Sequence, residues 1–158
     1  MKIINTHTGE EYKGEIEQLR KSDVSKLNEN DNFEFDWSKE SENDVYKIRR
    51  KGIDETLGLI SLTDYPKEKR IHINLIEASK ENVGKNKKFK NIAGNLIGFA
   101  CKKAFQKGYD GFVSLLPKTE LIPVYIAYGF KKVGLFLAVF LKASENLKSK
   151  YLEDDERI

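Results

Sequence analysis

The chain has 158 residues, of which 34% are charged, and a formal net charge of +3. That length supports one domain with its own core, and that balance excludes both a disordered chain and a histone-like polycation. A single cysteine, Cys101, excludes an internal disulfide and a multi-cysteine zinc site, and the two histidines, His7 and His72, lie far apart, so no metal centre is expected.

Lys2 to Asn5 and Glu11 to Leu19 read as strands around a turn at Thr8-Gly9, the second alternating Tyr12, Gly14 and Ile16 against charged residues. Ser22-Asp23 fits the cap of a short helix carrying Val24 and Leu27 inward, and a polar loop follows. Phe33, Phe35 and Trp37 alternate with Glu34 and Asp36, which predicts a short strand or extended segment with Trp37 as core or pocket wall. Val45 to Arg50 and Thr56 to Thr63 form a predicted hairpin around Gly52-Ile53-Asp54-Glu55. After a turn at Asp64 to Glu68, Arg70 to Ser79 completes a three-strand antiparallel meander, with Ile71, Ile73 and Leu75 on one face.

A basic loop from Asn82 to Asn91 carries Lys85, Lys87, Lys88 and Lys90 and leads into a helix over Ile92 to Lys107. Ala93, Leu96, Ile97, Ala100, Cys101 and Ala104 form its apolar stripe, and Gly108 stops it. Gly94 and Gly98, one turn apart, predict close packing on a sheet. The first turn of a helix offers free N–H donors and partial positive charge; lysines before it add full charges. That combination suits a phosphate or pyrophosphate. Gly111 to Leu116 reads as a buried strand, and the strand–helix–strand order makes it parallel to Arg70 to Ser79. Thr119 fits the cap of a second helix reaching Tyr128, with a kink expected at Pro123. Phe130 to Val133 and Phe136 to Leu141 are the last strands, and Ala143, Leu147 and Tyr151 suggest a surface-packed helix in a charged tail. No apolar run could span a bilayer and the N-terminus lacks a signal peptide's apolar core, so a cytoplasmic protein is expected.

The order of meander, basic loop, helix, strand, helix and strand pair resembles the GCN5-related N-acetyltransferase (GNAT) superfamily of acyl-CoA-dependent transferases. Lys88-Phe89-Lys90-Asn91-Ile92-Ala93, with Leu96 three positions on, is similar to the family's pyrophosphate loop of Arg or Gln, two residues, Gly, one residue, then Gly or Ala. Tyr125-Ile126-Ala127-Tyr128-Gly129-Phe130 is similar to its Tyr followed four residues on by Gly-Phe. The resemblance covers Val45 to Leu141, and the loop and Phe99-Ala100-Cys101-Lys102 are nearest to a bacterial subgroup. Two departures stand out. Lys88 replaces Arg or Gln but keeps a donor, and Asn91 replaces the first Gly, at a position where Asn tolerates a left-handed backbone.

The resemblance implies an α/β (α+β) single domain over residues 1–158. Its central sheet is mixed and mostly antiparallel, with a parallel pair at the cofactor cleft and helices on both faces. Residues 1–44 would form an N-terminal hairpin and acceptor-side segment, 45–141 the core, and 142–158 a helical tail. It implies acetyl-CoA as co-substrate, held by Lys88, Phe89, Lys90, Asn91, Ile92, Ala93, Gly94 and Asn95, and direct transfer of an acetyl group to a primary amine of a small molecule or protein. Tyr125 matches the family's acid, which protonates the leaving thiolate. Glu77 ends the central strand where the family often places a base. Regular alternation puts Glu77 on the face of Ile71 and Ile73, and a bulge reverses that. His72 is the weaker base candidate, and Cys101, on the apolar stripe, reads as a buried thiol. Acidic Asp31, Glu34 and Asp36 suit a cationic acceptor. A CoA-binding module without catalysis is the alternative. A nucleic-acid partner is not expected, since no aromatic platform accompanies the lysines, nor is a membrane partner; the chain would be a monomer or homodimer.

Overall fold

The computed structural model describes residues 1–117 and 121–152. Its elements in chain order are β1 (Lys2–Asn5), β2 (Glu11–Gln18), α1 (Lys21–Val24), β3 (Asp44–Arg50), β4 (Gly58–Tyr65), β5 (Arg70–Ala78), β6 (Phe89–Lys90), α2 (Ile92–Gln106), β7 (Val113–Leu115), α3 (Ile122–Ala127), β8 (Lys131–Val133), β9 (Phe136–Val139) and α4 (Leu141–Leu152). The strands form one sheet in the order β6-β1-β2-β3-β4-β5-β7-β9-β8. β5 and β7 are parallel, with Ile71 opposite Val113 and Ile73 opposite Leu115, as the crossover through α2 requires. Backbone contacts divide the chain into two compact units, Met1–Ser61 with Leu75–Leu96 and Leu62–Asn74 with Ile97–Ile158. The boundaries fall inside β4, β5 and α2, not in linkers.

In the first unit, alternation along β4 separates two layers. A side chain added at Gly58 would meet Ile92 and Leu96 of α2, whereas Leu59 packs with Val24, Phe33, Trp37 and Val45. Successive strand residues face opposite ways, so α2 covers one face and the Trp37 segment the other. The predicted strand over 33–37 does not form. Trp37–Glu40 is a short 3-10 turn instead, with Asp36 capping it through Ser38 N–H. Asn28 closes the approach, accepting from Trp37 N–H (2.8 Å) and donating to the Phe35 carbonyl (2.7 Å). Side-chain bonds to backbone thus replace a ladder. α1 starts after Arg20 with no side-chain cap, so Ser22-Asp23 does not serve as one, although Val24 is buried.

In the second unit, β7 pairs antiparallel with β9, and β9 with β8. The close approach predicted for Gly98 is real, but its partner is α4, not the sheet. A Cβ there would sit 3.2 Å from Tyr151 and 3.4 Å from the Leu147 carbonyl. Pro123 falls in the first turn of α3, where the missing N–H costs nothing, so no kink forms. The expected cap at Thr119 lies outside the described residues. Among the described residues no helix is long and apolar enough to cross a membrane.

Candidate active site

The basic loop is tied down before the helix begins. Asn82 is buried; its side chain donates to Ser79 Oγ (2.7 Å) and accepts from Phe89 N–H (2.9 Å). Lys88 N–H donates to the Glu81 carbonyl (2.9 Å), and the Lys88 carbonyl accepts from Thr6 N–H (2.9 Å). Phe89 and Lys90 pair with β1 as β6, a strand the lysine-rich sequence does not announce. Phe89 is buried, and Arg50 lies over both its ring (4.9 Å) and that of Tyr12 (5.0 Å).

Asn91 then turns the chain into α2 with φ +76°, the left-handed conformation anticipated from its replacement of Gly. Its carbonyl accepts the first helical bond, from Asn95 N–H (2.9 Å), and the Asn95 side chain donates to the Lys2 carbonyl (3.0 Å). The predicted donor set is therefore narrower than Lys88 to Asn95. The N–H groups of Lys88, Phe89 and Asn95 are already committed within the protein. Those of Ile92, Ala93 and Gly94 donate to no acceptor among the described residues. Lys85, Lys87, Lys88 and Lys90 make no ion pair among those residues either. A first helical turn whose N–H groups find no acceptor among the described residues suits a phosphate, the more so after a lysine-rich loop in which Lys88 alone of the four lysines makes such a contact, over the Phe89 ring.

Glu77 shows the opposite condition. Its Oε2 accepts from Glu34 N–H (2.7 Å), and its Oε1 from Phe35 N–H (3.2 Å) and Trp37 Nε1–H (2.8 Å). Its orientation follows from a slip in β5. Asn74 donates to Thr63 (2.8 Å), which shares the face of Leu59 by alternation, and Leu75 also packs against the Leu59 cluster. Two consecutive residues thus face one side, as at a bulge, and Glu77 follows Leu75. A carboxylate offers about four lone-pair positions, and three of these are filled. In this geometry Glu77 anchors the 34–37 segment; it is not a vacant base.

In the second unit, Tyr125 lies on α3, edge-on to Phe130 at 5.8 Å, and its carbonyl accepts from Tyr128 N–H (3.0 Å) and Phe130 N–H (3.2 Å). Its hydroxyl has no hydrogen-bond partner among the described residues. Burial raises its pKa above the ordinary phenol value, which keeps the proton in place. His72 pairs across β5 and β7 with Ser114, and its Nδ1 lies 2.8 Å from Ser114 Oγ and 3.2 Å from Arg70 Nη1. A guanidinium only donates, so Nδ1 is an acceptor and the ring proton sits on Nε2. Burial, then the Arg70 charge, lowers the His72 pKa and holds the ring neutral. With its lone pair already engaged, His72 does not serve as a base in this arrangement. The Glu68–Arg70–Ser114 support was not read from the sequence, because Glu68 ends the 3-10 turn before β5 and reaches Arg70 only through the left-handed Lys69. Cys101 is buried, and that burial pushes its thiol up to about 11, which excludes a ready thiolate.

No family model matches the sequence, and no curated protein matches it. Solved structures do match. A spermidine/spermine N-acetyltransferase from Vibrio cholerae aligns over 90% of this chain and 98% of its own, with a TM-score of 0.59 at 16% identity. The fold is the GNAT fold. A Bacillus subtilis acetyltransferase solved in complex with CoA aligns over 75% of this chain and 77% of its own (TM-score 0.50, 22% identity). The chain spans 65% of a nourseothricin acetyltransferase, which covers 63% of this chain (TM-score 0.52, 15% identity). Within the GNAT fold, the parallel β5–β7 pair and the loop before α2 stand where the resemblance expected them.

Proposed function

We propose that the protein is an acetyl-CoA-dependent N-acetyltransferase that moves the acetyl group directly to a primary amine. The observation that carries this reading is the first turn of α2, where the N–H groups of Ile92, Ala93 and Gly94 have no acceptor among the described residues and follow a lysine-rich loop. Those groups fit the CoA pyrophosphate, and one structure sharing the fold is a complex with CoA. Tyr125, whose hydroxyl has no partner among the described residues and whose pKa burial raises, is the acid that protonates the departing thiolate. In the transfer the amine nitrogen forms a bond to the acetyl carbon, the carbon–sulfur bond breaks, the sulfur takes the tyrosine proton, and the surplus proton on the nitrogen leaves to water, from which the tyrosine oxygen is reprotonated.

The occupied state of Glu77 and His72 bears on the incoming amine. Neither residue offers an uncommitted base, so the ammonium loses its proton to water and the amine attacks in its neutral form. A primary amine of the lysine type titrates near 10.4. The rate should therefore climb with pH, about tenfold per unit below that value. The same shortage of a base favours a second reading, a CoA-binding module without turnover. Two measurements separate the readings: calorimetric binding of acetyl-CoA, and thiol release with spermidine, spermine and a lysine peptide as acceptors. Binding with amine-dependent thiol release supports the transferase. Binding without release from any acceptor supports the module, and absence of binding defeats both. Acetyl-CoA in a bacterial cytoplasm is the setting this reading assumes.

A further inference from the structure

Within the second unit, the end of α3 and one face of α4 enclose a cavity of about 270 Å³ that the proposed reaction does not use. Ala127, Gly129 and Ala143 form one wall, and none of them carries a side chain beyond a methyl group. A Cβ at Gly129 would lie 3.3 Å from that of Ala143, so the bare glycine, at φ +108°, lets α4 close on the chain leaving α3. Asn146 and Lys150 of α4 and the half-buried Tyr128 and Tyr151 supply the polar lining. Ala143, Asn146 and Lys150 share a helix face through their spacing of three and four residues. Glu145, the one carboxylate between Leu141 and Leu152, falls on the opposite face by the same periodicity. The Lys150 ammonium lies 5.3 Å from the centre of the Tyr151 ring and makes no ion pair among the described residues. The hydroxyls of Tyr128 and Tyr151 and the amide of Asn146 have no hydrogen-bond partner among those residues either. Burial, then the neighbouring Tyr151 and Tyr125 phenols, raises the Tyr128 pKa and keeps it a neutral donor. Half-buried tyrosine hydroxyls ordinarily find a partner, and here two of them line one space with an amide and an ammonium.

We propose that this cavity binds a small aromatic carboxylate. Its volume stands at the low end for a ligand pocket, which suits a single ring. The wall of methyl groups and bare backbone offers a flat apolar face to that ring. The polar lining holds one full positive charge and no negative one, so a monoanion balances it. A carboxylate has about four lone-pair positions, enough for the Lys150 ammonium, the Asn146 amide N–H and the tyrosine hydroxyls. A neutral ring would leave the ammonium uncompensated, and a bare anion would leave the methyl wall wet. The site also has a mechanical link to α3. Tyr128 N–H and Gly129 N–H donate to the Tyr125 and Ile126 carbonyls, so an occupant braces the end of the helix that carries Tyr125. That makes the ligand an effector and not the acceptor.

Titration of the isotope-labelled full chain with benzoate, followed by amide resonances, tests this. The amides of Gly129, Ala143 and Asn146 should shift together and saturate, with a dissociation constant of about 1 mM or below. Benzamide, which keeps the ring without the charge, and acetate, which keeps the charge without the ring, should each bind at least about tenfold more weakly. Lys150→Glu, at an exposed residue, should weaken benzoate by about tenfold or more, and Lys26→Glu, the same change of charge on an exposed residue of the first unit, should leave it unchanged. Ala143→Leu, which fills the cavity without changing charge, should also abolish the shifts; circular dichroism checks that each variant is folded. No saturation by about 10 mM benzoate, equal binding of acetate, benzamide or inorganic phosphate, or a folded Lys150→Glu protein with wild-type affinity would each overturn the proposal. The titration contains no CoA, so its failure leaves the transferase reading untouched.

Discussion

Two places in the first unit invite comparison: the start of α2 and the end of β5. At the first, three backbone donors have no acceptor among the described residues; at the second, one carboxylate is crowded by three donors. Both are polar, and both sit where the GNAT resemblance places function. The difference lies in what has been left over. Glu77 has spent three of its about four lone-pair positions on the protein's own chain, so removing it should destabilise the 34–37 segment. The helix start has not, so altering it should cost ligand. A functional carboxylate and a structural one are told apart by counting open lone pairs, not by position along a strand.

The largest expected effect tests the crowded side. Glu77→Ala leaves the Trp37 indole N–H and the Phe35 N–H without acceptors in a half-buried setting and frees the exposed Glu34 N–H, and should cost about 3 kcal/mol in denaturant unfolding. A loss below about 1 kcal/mol together with abolished turnover would instead restore Glu77 as a base. Next comes the open side. Acetyl-CoA at a hundred times its dissociation constant should stabilise the protein by about 2.7 kcal/mol, and Ala93→Glu, which adds a carboxylate among the donors, should erase that gain with little change in the unliganded protein. Tyr125→Phe should lower kcat about a hundredfold while leaving acetyl-CoA affinity unchanged, and equal losses in both would reassign the residue to binding. Smaller still is the turn between the two regions. At φ +76°, Asn91→Gly should be nearly neutral, whereas Asn91→Ala should cost about 1 kcal/mol. The smallest effect concerns acid. The lowered pKa of His72 means that the unfolded chain takes up its proton first. Its contribution is complete above about pH 6.5 and fades as pH falls below that value; His72→Phe should flatten the slope.

The sequence made some of this legible and hid the rest for identifiable reasons. The parallel pairing of β5 and β7 could be read because a strand, an amphipathic helix and a strand permit one handed crossover. The left-handed Asn91 was readable from its chemistry alone. The strand at Phe89–Lys90 was not, because two residues among lysines carry no period and their pairing depends on Asn82 and Thr6, far away in the chain. The 33–37 segment alternates like a strand, yet bonds from Asn28, Asp36 and Glu77 capture its backbone one residue at a time. The direction of Glu77 hinged on a one-residue slip in β5, which no pattern within that strand reveals. Tyr125 was found by its motif, but its unpartnered hydroxyl is a fact of three dimensions.

The most direct test of the central claim follows the backbone amide resonances of Ile92, Ala93 and Gly94 while CoA is added to the isotope-labelled protein. The account predicts that these three shift together and saturably, as each N–H gains a phosphate oxygen, while the amides of Glu34 and Phe35, already bonded to Glu77, shift far less. CoA that binds without moving them, or that does not bind at all, would contradict it.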